Sequence, residues 1–237
     1  MKKLLIIKNG SCDVDKSLQH IMRTIDTNIE TFVIMSNDLI QTLKPADCLI
    51  YDAIMICGGQ QSLIDRHNDD YLYPYLNNLI EFVKIWIHEY NMCILGICLG
   101  AQILGEACEF KTIRMKSPVI GYQQPIIVSI SSLLDESDIP FFMCCHHDCV
   151  EITNDINIKI KIDAHLKVGT ELIPYAFSIK RAYGVQFHPE MNNDMLLQVK
   201  CFYAQVSELS QFTTTNEVRI REATMRFFRR WIGMYLS

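Results

Sequence analysis

A cysteine set between two glycines, directly after an apolar run, leaves a chain few folds to choose from. In Ile94-Leu95-Gly96-Ile97-Cys98-Leu99-Gly100-Ala101-Gln102 the apolar residues read as a buried strand and the residues after Cys98 as a helix start. The cysteine then sits on a nucleophile elbow, a sharp turn that needs unusual backbone angles and neighbours without a bulky Cβ. Gly96 and Gly100 supply that room. A helix beginning just after Cys98 points its unpaired N–H groups and positive dipole end at the sulfur, which favours the thiolate. The same residues also suit a buried cysteine in an ordinary strand-turn-helix, so a second signal is needed.

That signal lies ninety residues on, in Tyr183-Gly184-Val185-Gln186-Phe187-His188-Pro189-Glu190. A short apolar strand ends at a histidine, and the proline stops it. In an open α/β sheet, residues beyond the carboxyl ends of neighbouring strands share one crevice, where Cys98 and His188 can meet. Glu190 stands two residues further and can orient the imidazole. Nucleophile, base and orienting acid are the parts of an activated thiol.

At these residues the chain resembles the class I glutamine amidotransferases, whose elbow reads G-x-C-x-G-x-Q and whose second signature is G-x-Q-F-H-P-E. Further similarities follow in order: Ile56-Cys57-Gly58-Gly59, Val119-Ile120-Gly121-Tyr122, and Cys145-His146-His147-Asp148 where the guanylate-synthase-like branch has S-H-G-D. The resemblance implies that Cys98 attacks the side-chain carboxamide of glutamine, His188 manages the protons and Glu190 orients it. It also implies an oxyanion hole from the backbone N–H groups of Gly59 and Leu99, and substrate contacts from Gly58, Gln102, His146 and Asp148. Gln102 is expected at the amino-acid end and Asp148 at the α-ammonium group. No cofactor is implied. The chain departs from the family pattern at Gln60-Gln61, where proline is common, with Ser62 left to brace the loop, and at His147, which replaces a glycine. Leu99 follows the cysteine where a related group of thiol hydrolases has histidine, which favours the distant His188 as partner.

The chain has 237 residues, 49% of them hydrophobic, enough for a core of ordinary size. A formal net charge of −5 offers no general field for nucleic acid. Ten cysteines scattered among apolar strands, with a thiol required at the elbow, fit a reducing cytoplasm rather than a disulfide framework. Around Cys144-Cys145-His146-His147-Asp148-Cys149, neighbouring residues on a strand point to opposite faces and no second Cys pair follows, so no metal site is expected. Lys8-Asn9-Gly10 interrupts the first apolar run too early for a secretory signal. No run approaches the about 18 apolar residues of a membrane span, so no membrane association is expected.

Apolar runs near residues 3–8, 29–35, 51–57 and 93–98 alternate with helical or polar segments, the pattern of a parallel sheet with crossovers. The expected fold class is α/β: a flavodoxin-like, doubly wound, mostly parallel sheet with helices on both faces and some antiparallel strands. A helix is expected over Leu72–Tyr90, with Leu72, Leu76, Leu79, Val83, Trp86 and Ile87 on its core side. Later runs at 125–130, 141–150, 156–162, 175–179 and 183–187 suggest further strands. Residues 1–237 read as one domain with a helical extension at about 192–237. There Thr214-x-x-Glu217 resembles a capping box before a helix that reaches about Tyr235. Ile220, Thr224, Phe227 and Trp231 share one side of it. Arg219, Arg226, Arg229 and Arg230 lie largely away from that side, as a solvated face over a docked stripe.

The function expected is glutamine hydrolysis with ammonia passed to a partner. With no G-x-x-x-x-G-K-[ST] loop in the chain, the acceptor site belongs to a separate synthetase subunit, guanylate synthesis being the nearest similarity. Two alternatives stay open: a stand-alone γ-glutamyl hydrolase or transferase using the same triad, and a regulatory binding module without turnover.

Overall fold

In the computed structural model, the described residues are 1–10, 13–64, 66–68, 70–129, 133–135, 138, 142–152, 159–191, 195 and 217–236. The four expected N-terminal strands form as β1 (Lys2–Lys8), β2 (Ile29–Met35), β3 (Ala53–Ile56) and β4 (Ile94–Ile97). Between them run α1 (Val14–Ile25), α2 (Ser36–Thr42), a 3-10 turn at Pro45–Ile50 and α3 (Tyr75–His88), and α4 (Leu99–Ala107) follows the elbow. Later come β5 (Lys111–Tyr122), β6 (Ile126–Ile127), β7 (Met143–Glu151), β8 (Lys161–Val168), β9 (Glu171–Ile179), β10 (Ala182–Val185) and α5 (Glu217–Tyr235).

The main sheet has the order β2-β1-β3-β4-β10-β9-β8-β6. Its first five strands are mutually parallel, and β9, β8 and β6 continue it antiparallel. This is the doubly wound, flavodoxin-like arrangement expected from the sequence. β1 is apolar throughout because both of its faces are covered. Leu4 and Ile6 pack on the side of α1 and α5, with Leu18, Phe227 and Trp231. Leu5 and Ile7 pack on the side of α3 and α4, with Val83, Trp86 and Leu104.

Register fixes where the site must be. Ile56 of β3 stands beside Gly96 of β4, and Gly96 and Ile97 stand beside Gly184 and Val185 of β10. Three adjacent parallel strands therefore release their chains at one edge, into Gly58-Gly59, Cys98 and His188.

Three elements differ from the sequence expectation. The helix expected from Leu72 begins at Tyr75, and Leu72 is 80% exposed. Pro74 explains this, since a proline disfavours helical geometry in the residue before it. The strand expected over 156–162 is Lys161–Val168; its pairing with β9 shifts register near Ala164, which breaks the alternation a sequence reader relies on. Residues 153–158 lie outside the described set, as do Thr214 of the expected capping box and most of 192–216. β5 was not expected at all. It pairs with β7 in a second, two-stranded sheet, with an irregularity between Arg114 and Val119 that accommodates Pro118.

The basic face of α5 is not wholly solvated. Arg226 and Arg230 close on the two carboxylate oxygens of fully buried Asp138, each at 2.7 Å. No helix among the described residues is long and apolar enough to cross a membrane.

The first turn of α4 lies against β3 so closely that a Cβ on Gly100 would stand 2.1 Å from the Ile56 carbonyl oxygen. Gly100→Ala is expected to cost about 3 kcal/mol in urea unfolding, the upper part of the usual range for overpacking. Leu72→Ser, on the exposed side of Pro74, should stay within about 0.5 kcal/mol of the parent.

Candidate active site

Cys98 adopts φ 52° and ψ −106°, a left-handed conformation that L residues rarely hold. Strain of this kind costs on the order of 1–3 kcal/mol and survives only where its surroundings enforce it. Here the Cys98 N–H donates to the Val185 carbonyl at 2.8 Å, and the Cys98 carbonyl accepts from the N–H groups of Ala101 and Gln102. The residue is thus clamped between β10 and the first turn of α4. Gly96 is required as well, since a Cβ there would sit 2.5 Å from the Gly100 carbonyl oxygen.

His188 and Glu190 come from the turn after β10. The His188 N–H donates to the Met143 carbonyl at 2.7 Å, which stitches the turn to β7. Its Nδ1 stands 2.8 Å from Glu190 Oε1, both side chains being buried. That contact leaves Nε2 as the ring nitrogen available to the sulfur. Burial alone would lower the His188 pKa, but the Glu190 carboxylate and the Cys98 sulfur outweigh it and hold it well above the ordinary value. Gly58 lies against the pair: a Cβ there would be 2.8 Å from His188 Cε1 and 3.4 Å from Cys98 Cβ.

Gly59 and Leu99 adjoin one another, since a Cβ on Gly59 would meet Leu99 Cδ2 at 3.0 Å. Leu99 opens α4, so its N–H has no partner within the helix. The loop from Gly58 is anchored in spite of lacking proline. The Gln61 amide donates to the Asn9 carbonyl and, at 3.0 Å, to the Tyr75 hydroxyl, while the Ser62 hydroxyl donates to Asp148 Oδ2 at 2.6 Å.

Asp148 is the hub of the neighbouring β7 strand. Its backbone carbonyl accepts from Gln102 Nε2 at 2.9 Å and from His146 Nδ1 at 3.1 Å. Its carboxylate is engaged at both oxygens, by Ser62 and by Arg114 Nε at 2.5 Å. Because a carbonyl only accepts, the His146 proton sits on Nδ1, and Nε2 is a buried acceptor with no partner among the described residues. Burial pushes the His146 pKa down to about 3, so the ring is neutral.

All nine residues singled out in the sequence therefore fall in the Cys98–His188 cluster or the Asp148 network joined to it. Gln186 was missed. Its buried amide Nε2 stands 3.7 Å from Cys98 Sγ, and the Cys145 carbonyl lies 4.0 Å from the same sulfur. The signal was available in the sequence, because Gln186 directly follows β10 and precedes His188 by only two residues.

A family model described as "Glutamine amidotransferase class-I" matches residues 5–195. The "Putative glutamine amidotransferase-like protein L716" of Acanthamoeba polyphaga mimivirus is 27% identical over 191 residues, covering 79% of this chain and 77% of its own. The "GMP synthase [glutamine-hydrolyzing]" of Ehrlichia ruminantium (strain Gardel) is 25% identical over 196 residues; these are 81% of this chain but 34% of that protein. Among solved structures, a glutamine amidotransferase from Thermotoga maritima superposes with a TM-score of 0.71 at 16% identity, over 100% of this chain and 98% of that one, a likeness of fold. With the family model spanning both signatures and the strands that carry them, the chain belongs to the class I glutamine amidotransferases.

Proposed function

We propose that this chain is a glutaminase in which Cys98, His188 and Glu190 form the catalytic triad. The observation that carries the reading is the buried His188–Glu190 pair beside a strained cysteine, delivered by adjacent parallel strands. The raised His188 pKa keeps a proton on the imidazole while the sulfur attacks. The C–S bond forms, and the carbonyl electrons move to an oxygen received by the N–H groups of Gly59 and Leu99. Each such donor lowers the barrier by about 2.7–4 kcal/mol. His188 then gives its proton to the nitrogen as the C–N bond breaks, ammonia leaves, and a thioester remains. Water attacks the thioester, returns a proton to His188, and glutamate departs with the sulfur restored.

Substrate recognition is assigned to the Asp148 network. The bare His146 Nε2 suits an N–H donor of the substrate, and Gln102 is assigned to its amino-acid end. Asp148 engages one donor on each carboxylate oxygen, and a carboxylate offers about four acceptor sites, so capacity is left for the α-ammonium. Gly58 gives the substrate close access to the sulfur. The ammonia is passed to an acceptor site on a separate synthetase subunit. The Ehrlichia GMP synthase, of which this chain matches about a third, supports a glutaminase coupled to a synthetase, there within one longer protein.

Purified protein given glutamine should release glutamate and ammonia in equal amounts, and Cys98→Ala should lower the rate at least about 10³-fold. Turnover of γ-glutamyl peptides with none of free glutamine would overturn the reading in favour of a γ-glutamyl hydrolase. Gln186→Leu removes a donor to a sulfur that becomes anionic, and hydrogen bonds to charged groups contribute about 1.5–3 kcal/mol. A fall of about 10- to 100-fold in kcat/KM is therefore expected, with folding retained. His146 binds its proton less readily when folded than when unfolded, so stability falls as pH drops from 6.5 toward about 3. Its contribution to that slope is up to about 1.4 kcal/mol per pH unit, and His146→Asn should flatten the acid limb of stability against pH.

A further inference from the structure

The turn His188–Met191 carries two members of the triad reading, and two helices on one face of the sheet each bond to its backbone. The Met191 N–H approaches the His188 carbonyl at 3.4 Å, closing the turn, and this leaves the Pro189 and Glu190 carbonyls pointing outward. The Thr224 hydroxyl of α5 donates to the Pro189 carbonyl at 2.8 Å. The Ser17 hydroxyl of α1 donates to the Glu190 carbonyl at 2.6 Å. One turn of helix beyond Thr224, the Phe227 ring stands edge-on to Phe187, centroids 5.7 Å apart, immediately before the histidine. The helix is itself held by Arg226 and Arg230 on Asp138, and at its far end by Arg181, which donates to the Tyr235 carbonyl at 2.8 Å.

We infer that α5 is a positioning element of the active site, and that the Thr224 hydroxyl, together with that of Ser17 on neighbouring α1, sets the angle at which His188 meets Cys98. α5 lies beyond the residues that the family model matches, so this role is not part of the shared signature. The physical argument is leverage. The His188–Glu190 contact is made within a four-residue turn, so rotating the Pro189 or Glu190 peptide moves ring and carboxylate together relative to a sulfur that the elbow holds fixed. Thr224 is 7% exposed, so its hydroxyl has no ready exchange with solvent. Removing it leaves the Pro189 carbonyl to find another donor, which only a rotated peptide can reach.

The inference rests on the triad reading but not on glutamine as the substrate, and its test keeps the two apart. Alkylation of Cys98 by iodoacetamide, followed against pH on the full chain, reports the Cys98–His188 pair with no substrate present. The titratable groups bearing on His188 are Glu190 in its own turn, Cys98 on the elbow and His146 on β7. Cys57, directly after β3, bears on Glu190, with Lys8 and Asp15 behind it. Thr224→Val, which keeps shape and loses the hydroxyl, should slow alkylation near pH 6.5 about tenfold and move the curve to higher pH. That is a fraction of the roughly hundredfold penalty for a ~1 Å misplacement. Thr224→Ser should restore the parent curve. Should Thr224→Val fail to fold, Ser17→Ala carries the same expectation from the partly exposed side. A Thr224→Val curve coincident with the parent, or a Thr224→Ser curve as displaced as that of Thr224→Val, would overturn the inference. So would an unchanged Ser17→Ala curve where Ser17→Ala has to stand in. Displacement of the alkylation curve in a protein that hydrolyses no glutamine would uphold the inference while sinking the substrate assignment.

Discussion

The contact between Gly100 and the carbonyl of Ile56 is the constraint from which the site follows. Only a residue without a Cβ lets the first turn of α4 press onto the end of β3, and the turn that makes this approach holds Cys98 at a positive φ. The strain is offset by bonds that are themselves part of the arrangement, the Cys98 N–H to β10 and the Cys98 carbonyl to the helix start. Because β3, β4 and β10 are parallel and in register, the Gly58-Gly59 loop, Cys98 and His188 leave the sheet side by side. A sheet with β10 antiparallel to β4 would have sent His188 to the opposite edge.

Two buried histidines near one another are held in opposite protonation states, and each state has a single dominant cause. A carboxylate at 2.8 Å keeps the proton on His188 against the burial that opposes it. His146 bonds instead to a carbonyl, which fixes the nitrogen that carries its proton, and burial lowers its pKa to about 3. One ring is thereby prepared to give a proton and the other to accept a hydrogen bond. Groups pushed apart in this way divide acid and acceptor roles within one pocket.

The parts legible in the sequence were those that depend on local rules. The elbow glycines, the proline after His188 and the unbroken apolar runs of β1, β3 and β4 each follow from sterics or from two-sided burial, and each was placed within a few residues. What escaped depends on partners distant in the chain. β5 reads as a polar segment because its fully described pairing, with β7, leaves alternate residues in solvent, and Pro118 conceals the rest. Leu72 matches the helical period but lies on the wrong side of a proline. Arg114 carries no local mark of its bond to Asp148, 34 residues away, and neither does Ser17 of its bond to Glu190, 173 residues away.

The basic stripe of α5 shows why such distant pairings matter more than composition. By periodicity, Arg226 and Arg230 belong to a polar face, and a polar face ordinarily adds little to stability. Asp138 changes their role, because a fully buried carboxylate must find its partners within the protein. The two arginines meet that need only if α5 docks in one rotation, and the same rotation turns Thr224 and Phe227 toward the histidine turn. An ion pair at the periphery thus selects the geometry at the centre. Hydrophobic burial of Phe227, Phe228 and Trp231 supplies most of the docking energy, but an apolar stripe tolerates small rotations that a forked pair of guanidiniums on one carboxylate does not.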